Sequence, residues 1–303
     1  MSTPTADTTL QTPSPDLSAP AINPYLGLVI ATIAVSFSAI LIKVSTAPSL
    51  VIATYRLAMT TLLLLPLMRG SRLAALRALD RRTLGLIVLS GTLLAIHFAS
   101  WTASLRYTSV ASSVLFVTIH PAIVAIAAFT LFAERSSRLA ILGIVLTLVG
   151  SGVVAGGDIR LGGDAVRGDL LALLGAVVFA GYLLIGRGTR QSMDNIGYSV
   201  PVYGVCAVAL TLFSVVFGQS LAAVSGRDLL IFFGLALIPT LGGHLLYNWA
   251  LRYVPAAVVS VSFLGEPVGA AILAWLLLGQ HIAVSTLIGG AIILVGIWLT
   301  ARW

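Results

Sequence analysis

Apolar residues come in ten long runs along this chain, separated by short stretches rich in Gly, Pro, Ser, Asp or Arg. The runs fall at about 25–45, 49–68, 83–105, 108–132, 138–155, 169–187, 198–218, 228–250, 255–278 and 282–300. A helix of ~20 apolar residues crosses the hydrocarbon core of a bilayer. The pattern therefore predicts an all-α membrane protein with ten transmembrane helices. A transmembrane β-barrel would need ~10-residue segments of alternating polarity, and these runs do not alternate. The longest internal connections, 69–82 and 156–168, leave no room for a soluble domain.

Composition agrees with the pattern. Apolar residues make up 58 % of the chain and charged residues 9 %, with a mean hydropathy of +1.06, whereas soluble domains are about a quarter charged. Residues 1–24 are rich in Ser, Thr and Pro and contain no Lys or Arg. They predict a disordered cytoplasmic tail and lack the basic start of a secretory signal. The single cysteine, Cys206, can build neither a disulfide framework nor a metal cluster.

The net charge of +7 is carried by residues near the ends of the runs. It carries topology information and is no nucleic-acid footprint. With the N-terminus inside, Arg69, Arg72, Arg77, Arg81, Arg82, Arg135, Arg138, Arg187, Arg190, Arg252 and Arg302 face the cytoplasm. Lys43, Arg106, Arg160, Arg167 and Arg227 face outward. Eleven against five predicts both termini in the cytoplasm.

The chain also repeats itself. Leu105-Arg106-Tyr107 recurs as Leu251-Arg252-Tyr253, 146 positions later. The same offset pairs Pro121 with Pro267, Gly143 with Gly289, and Val149-Gly150 with Val295-Gly296. A first repeat over 25–155, an outer linker over 156–168 and a second repeat over 169–303 follow from this. Five spans per repeat force the second to enter the membrane from the opposite side, so the expected fold is two inverted five-helix repeats. Such repeats supply alternating access about a central site. The Gly-Gly-Asp pattern in 157–169 fits no EF-hand spacing and reads as linker.

Glu266, near the middle of the ninth span, is the strongest chemical candidate. An ionised carboxylate facing lipid there would cost on the order of 3 kcal/mol on insertion scales. It should meet a cation, a proton or a neighbouring helix. Pro267 removes one helix hydrogen bond beside it, and Pro121 does the same in the fourth span, after His120. Both prolines are candidate hinges. His97 and Trp101 share a face of span three, and His244, Tyr247 and Asn248 share one on span eight. These five, with Glu266 and Tyr182 of span six, are the candidate substrate-binding residues; the competing reading is interhelical packing. Ser109, Ser113, Phe116 and His120 form a stripe on span four, and Ser262 and Phe263 accompany Glu266. Ser36, Phe37 and Ser38 are weaker cavity candidates. Arg56, about two turns into span two, can bind a carboxylate or snorkel to the outer surface. The stripes Gly91, Ala95, Ala99, Ala103 and Ser285, Gly289 suit close helix packing, within the chain or in a homodimer.

No nucleophile elbow, zinc-protease signature or P-loop appears. The expectation is therefore no enzyme, no cofactor and no bound metal, with transport down a gradient or coupled to an ion.

On the turn Ala103-Ser104-Leu105-Arg106-Tyr107-Thr108-Ser109, its repeat Ala250-Leu251-Arg252-Tyr253-Val254-Pro255, the pairs Glu266-Pro267 and Tyr55-Arg56, and Phe132-Ala133-Glu134-Arg135, the chain resembles the drug/metabolite transporter superfamily in its ten-span EamA-type branch. The resemblance covers roughly residues 25–300, and the whole is most similar to bacterial amino-acid exporters of the YddG kind. It implies a protein of the bacterial inner membrane that exports aromatic and other amino acids, with paraquat-like cations such as methyl viologen as the alternative cargo. It also implies a central cavity lined by spans one, three, four, six, eight and nine. The chain departs from the pattern at Gln280, the counterpart of Glu134, where the family has an acidic residue, and at Val35-Ser36-Phe37-Ser38, where the branch often has Trp-Gly.

Overall fold

The computed structural model describes residues 20, 22–104, 107, 108, 113, 116, 117, 119–132, 137–155, 163–279 and 284–300. Most of the predicted tail, Arg106, Ser109, Glu134, Arg135 and Gln280 lie outside them. Helix α1 (Pro24–Val44) starts where the Asn23 side chain accepts from the Tyr25 N–H at 2.9 Å and Pro24 presets the first turn. Helix α2 (Ser49–Leu64) passes into a short 3₁₀ turn, Leu65–Leu67. The predicted 69–82 connection holds a small helix, α3 (Ser71–Arg77). Then come α4 (Arg81–Ser104), α5 (His120–Phe132) and α6 (Arg138–Ala155).

Helix α7 (Gly163–Thr189) starts six residues ahead of the span expected at 169 and takes up the end of the predicted linker. Helix α8 (Asn195–Val216) closes in a left-handed glycine, Gly218 at φ 66°, with Gln219 N–H donating to Ser214 and Gly218 N–H to Val215. The second half of the chain then departs from straight helices. The eighth run is α9 (Gly226–Leu235), a π-helical stretch (Ala236–His244) and α10 (Leu245–Ala250). The ninth is split into α11 (Ala256–Ser262) and α12 (Gly265–Leu278), and α13 (Val284–Thr300) follows. Among the described residues there is no strand.

Seven stretches are long and apolar enough to cross a membrane: Pro24–Ile42, Ser49–Leu67, Arg81–Ser104, Asp164–Thr189, Asn195–Val216, Gly226–Ala250 and Ala256–Leu277. Arg138–Gly150 and Leu287–Thr300 are shorter apolar pieces. Burial is inverted relative to a soluble protein. Ile126, Leu62, Leu212, Leu230 and Trp298 point outward, while Arg56, Thr60, Ser90, His97, Ser199 and Asn248 are buried. An apolar outside of this extent suits lipid.

Packing follows the internal repeat. Helix α4 lies along α7 and α8, and α1 lies along the π stretch, α10 and α12. Helix α2 packs on α8, α5 on α11, and α6 on α13. The last pair meets backbone to backbone. A Cβ on Gly143 would stand 2.6 Å from the Gly296 carbonyl, and one on Gly150 would stand 2.7 Å from the Gly289 carbonyl. The two helices are thus antiparallel, and each glycine faces the duplicate of the other. Gly91 is likewise spent inside the chain, against Val202 and Val205 of α8. At the end of the bundle where α1 turns into α2, Asp228 of α9 accepts from Ser45 Oγ, the Thr46 N–H and hydroxyl, and Ser225 Oγ, all within 3.0 Å. These bonds hold the α1–α2 connection against the start of α9.

Candidate functional site

Three prolines shape the centre through the carbonyls they release. Pro267 has no N–H for the Phe263 carbonyl, which takes the Glu266 N–H instead at 2.9 Å. That leaves the Ser262 carbonyl free, and the Thr32 hydroxyl of α1 reaches it at 3.1 Å. Thr32 Oγ1 also lies 2.8 Å from Tyr247 Oη. The break between α11 and α12 is therefore tied to α1 and α10 together. At the duplicate position Pro121 releases the Val117 carbonyl, and His120 Nδ1 donates to it at 2.8 Å. Pro239 releases the Leu235 carbonyl, which accepts the Thr240 hydroxyl at 2.8 Å. The turn around it widens to π geometry.

Phe179 of α7 stands at the middle. Its ring centroid is 4.5 Å from His97, 5.1 Å from His120, 5.1 Å from Phe263, 5.6 Å from Tyr182 and 6.4 Å from His244. Tyr247 stacks on Phe263 at 3.8 Å, and Trp101 lies parallel to His97 at 6.2 Å. Side chains from all six segments implied by the resemblance meet here, including Thr32 and Ser36 of α1. His97, Trp101, His244 and Tyr247 come together as expected from their helix faces. His97 Nδ1 donates to the Gly175 carbonyl at 3.0 Å, so its ring is held by α7.

Two expectations need correction. Asn248 turns away from His244 and Tyr247. Its side chain accepts from Tyr182 Oη at 2.8 Å and donates to Ser199 at 3.3 Å and Tyr203 at 3.2 Å. The three lie on one regular turn, but Asn248 is at its flank, where α7 supplies Tyr182 and α8 supplies Ser199 and Tyr203. Tyr182 bridges the two zones, its ring on Phe179 and its hydroxyl on Asn248. Arg56, for its part, does not snorkel. It is 2 % exposed, donates from Nε to Thr240 at 2.7 Å and from Nη1 to Ser38 at 3.0 Å, and lies 5.1 Å above the Phe98 ring. A desolvated guanidinium needs such partners, and the widened turn at Thr240 supplies one.

Glu266 is half-buried. Among the described residues its carboxylate has neither a hydrogen bond nor an ion pair, and the single ion pair there is Arg72–Asp194. The Glu266 backbone carbonyl accepts from Ser36 Oγ of α1 at 3.4 Å. Four buried polar atoms are also without a partner among the described residues: Arg56 Nη2, Trp101 Nε1, His120 Nε2 and Ser260 Oγ. No group of three metal-ligating side chains is present among the described residues. The arrangement is an aromatic cluster edged by one carboxylate, one guanidinium and three imidazoles. It can hold an amphipathic molecule by ring contacts and opposite charges.

Sequence reasoning passed over Phe179, Phe98 and Thr240. At the far end of α10, Arg187 donates to the Leu251 carbonyl at 2.8 Å, and Arg190 to the carbonyls of Asn248 and Met193. Arg190 is 1 % exposed, and burial pushes its guanidinium down to about 10. It thus closes a helix C-terminus rather than lying on the surface.

The family model of EamA-like transporters matches the chain twice, over residues 23–156 and 166–302. An uncharacterized transporter of Archaeoglobus fulgidus is 26 % identical over 223 residues, which span 74 % of this chain and 77 % of that one. An uncharacterized transporter of Clostridium kluyveri is 24 % identical over 174 residues, 56 % of each chain. One protein of known crystal structure superposes with a TM-score of 0.77 over 92 % of this chain and 96 % of its own, at 16 % identity. That likeness is one of fold.

Proposed function

Since the chain belongs to the EamA-like transporter family, and is a multi-pass membrane transporter rather than an enzyme, we propose that it is a secondary exporter of amino acids working by alternating access. The observation that carries this reading is the unpaired Glu266 carboxylate at a broken helix, three residues on from the stacked Phe263 ring, in a bundle that also buries the Arg56 guanidinium. A zwitterion supplies both missing charges: its ammonium meets Glu266 and its carboxylate the guanidinium. The rings accommodate side chains of differing size, which suits a broad range of amino acids.

The ten-span inverted arrangement is part of the same proposal. It draws support from the doubled family match and from the antiparallel contact of α6 with α13, whose glycines are duplicates of one another. Two halves of this kind can exchange conformations about Phe179. The excess of arginine on one side argues for cytoplasmic termini in a bacterial inner membrane.

Flux in proteoliposomes of the purified protein tests the reading. A labelled amino-acid panel is compared with methyl viologen, with and without a pH gradient. Saturable amino-acid flux is expected. Flux of methyl viologen alone would overturn it in favour of cation efflux, which Glu266 and the rings also suit.

A further inference from the structure

Five arginines fall within the connection 69–82: Arg69, Arg72, Arg77, Arg81 and Arg82. Arg72 is spent inside the chain. It donates from Nε to Asp194 at 3.1 Å and from Nη1 to the Leu67 carbonyl at 3.2 Å. Asp194 in turn caps α8 by accepting from the Ile196 and Gly197 N–H groups. Leu76 of α3, and Leu79 just after it, pack against the main core. The small helix is thereby seated on the end of the bundle and tied to α8.

The other four arginines are exposed, and among the described residues none of them has a hydrogen bond or an ion pair. The only acid in the stretch is Asp80, whose carboxylate accepts from the Thr83 N–H at 3.3 Å. Four free cations beside one acid call for an anion from outside the chain.

The flanking surface gives their depth. Leu62, Leu63, Leu65 and Leu67, before the stretch, are exposed, and so are Leu84, Val88 and Leu89 after it. In a multi-pass membrane protein such side chains face lipid tails. Leu84 follows Arg81 by three residues of α4, about 4.5 Å along the axis. The arginines therefore stand where hydrocarbon gives way to headgroups. The anions at that level are lipid phosphates, which a guanidinium binds through two parallel N–H groups. A zwitterionic lipid brings its own cation beside the phosphate, and an anionic lipid does not.

We propose that the 69–82 connection is a binding surface for the headgroup of an anionic phospholipid, contacted by Arg69, Arg77, Arg81 and Arg82. The proposal stands on the exposure and depth of these side chains and is independent of the transported molecule.

The test measures the affinity of the full chain, in detergent micelles, for phosphatidylglycerol and for phosphatidylcholine by native mass spectrometry. The parent chain should bind phosphatidylglycerol about tenfold tighter or more. Each arginine at a lipid surface contributes about fivefold, so the triple variant Arg77→Gln, Arg81→Gln, Arg82→Gln should lose most of that preference. Should the triple variant fail to fold, the three single variants should each lose about fivefold. Arg227→Gln, at an exposed arginine beside Asp228 at the opposite end of the bundle, should keep the preference. Equal affinity for the two lipids in the parent chain overturns the surface without any variant. A preference that survives the substitutions, or one that Arg227→Gln lowers as much, also overturns it. Excess glycerol 3-phosphate should leave the bound lipid in place; its displacement would mean a site for small anions in place of a lipid surface.

Discussion

Thr32 donates its hydroxyl to the Ser262 carbonyl that Pro267 has set free, 230 positions away in sequence. The same oxygen lies 2.8 Å from Tyr247 Oη, so one small side chain joins three helices at the helix break. Thr32→Val keeps the shape and removes the hydroxyl. It should lower stability by about 1–3 kcal/mol, the range for leaving buried polar groups unpaired, read as a lower thermal unfolding midpoint in detergent. An unchanged midpoint would mean the break holds without α1.

Glu266→Gln should cut amino-acid flux by about tenfold or more, since it replaces the one acid that the described residues place at the centre by a neutral group of equal size. Yield of folded, inserted protein should stay within the range of the parent chain. Equal flux in the two proteins would remove the carboxylate from the mechanism.

Phe179→Ala removes the ring that touches His97, His120, Phe263, Tyr182 and His244. In packed protein interiors such a truncation costs about 3–5 kcal/mol, so the unfolding midpoint should fall. The selectivity among amino acids should shift toward larger side chains as the centre widens. A loss of stability with the same ranking of substrates would make Phe179 a packing residue only.

Asn248→Leu separates structure from substrate contact. The amide serves Tyr182, Ser199 and Tyr203, so its loss should lower the melting midpoint by the equivalent of about 1–3 kcal/mol. The KM values of the panel should keep their order. Tyr247→Ala, by contrast, should reorder them.

Glycine substitutions discriminate seam from surface. Gly143→Ala would bring a Cβ against Thr300 Oγ1 and to 2.6 Å from the Gly296 carbonyl, and α6 and α13 would have to part. A marked drop in the unfolding midpoint is expected. At Gly85 of α4 nothing lies within 4 Å, and Gly85→Ala should be neutral or gain about 0.5–1 kcal/mol. Equal effects at the two positions would argue against a close seam.

Much of this was legible in the residues, and what was not has physical reasons. A proline beside an acid in an apolar run announces a broken turn, because the loss of its N–H is a local event. Shared faces on α4 were equally readable, and His97 and Trp101 are neighbours. Arg56 was not readable. Its burial depends on Ser38, 18 positions away, and Thr240, 184 away, and no local pattern encodes such partners. Asn248 was misjudged because its partners, Tyr182, Ser199 and Tyr203, lie 45–66 positions away on two other helices. Phe179 had no mark at all. It is one apolar residue among Val177, Val178 and Ala180, and only packing makes it the hub.

The seam between α6 and α13 bears on the origin of the molecule. Gly143 meets Gly296, the copy of Gly150, and Gly150 meets Gly289, the copy of Gly143. A chain of half this length, inserted in both directions, would form the same contact with itself. Joining two such chains end to end would leave the contact as it was, and any later change in one copy would be answered directly by the other.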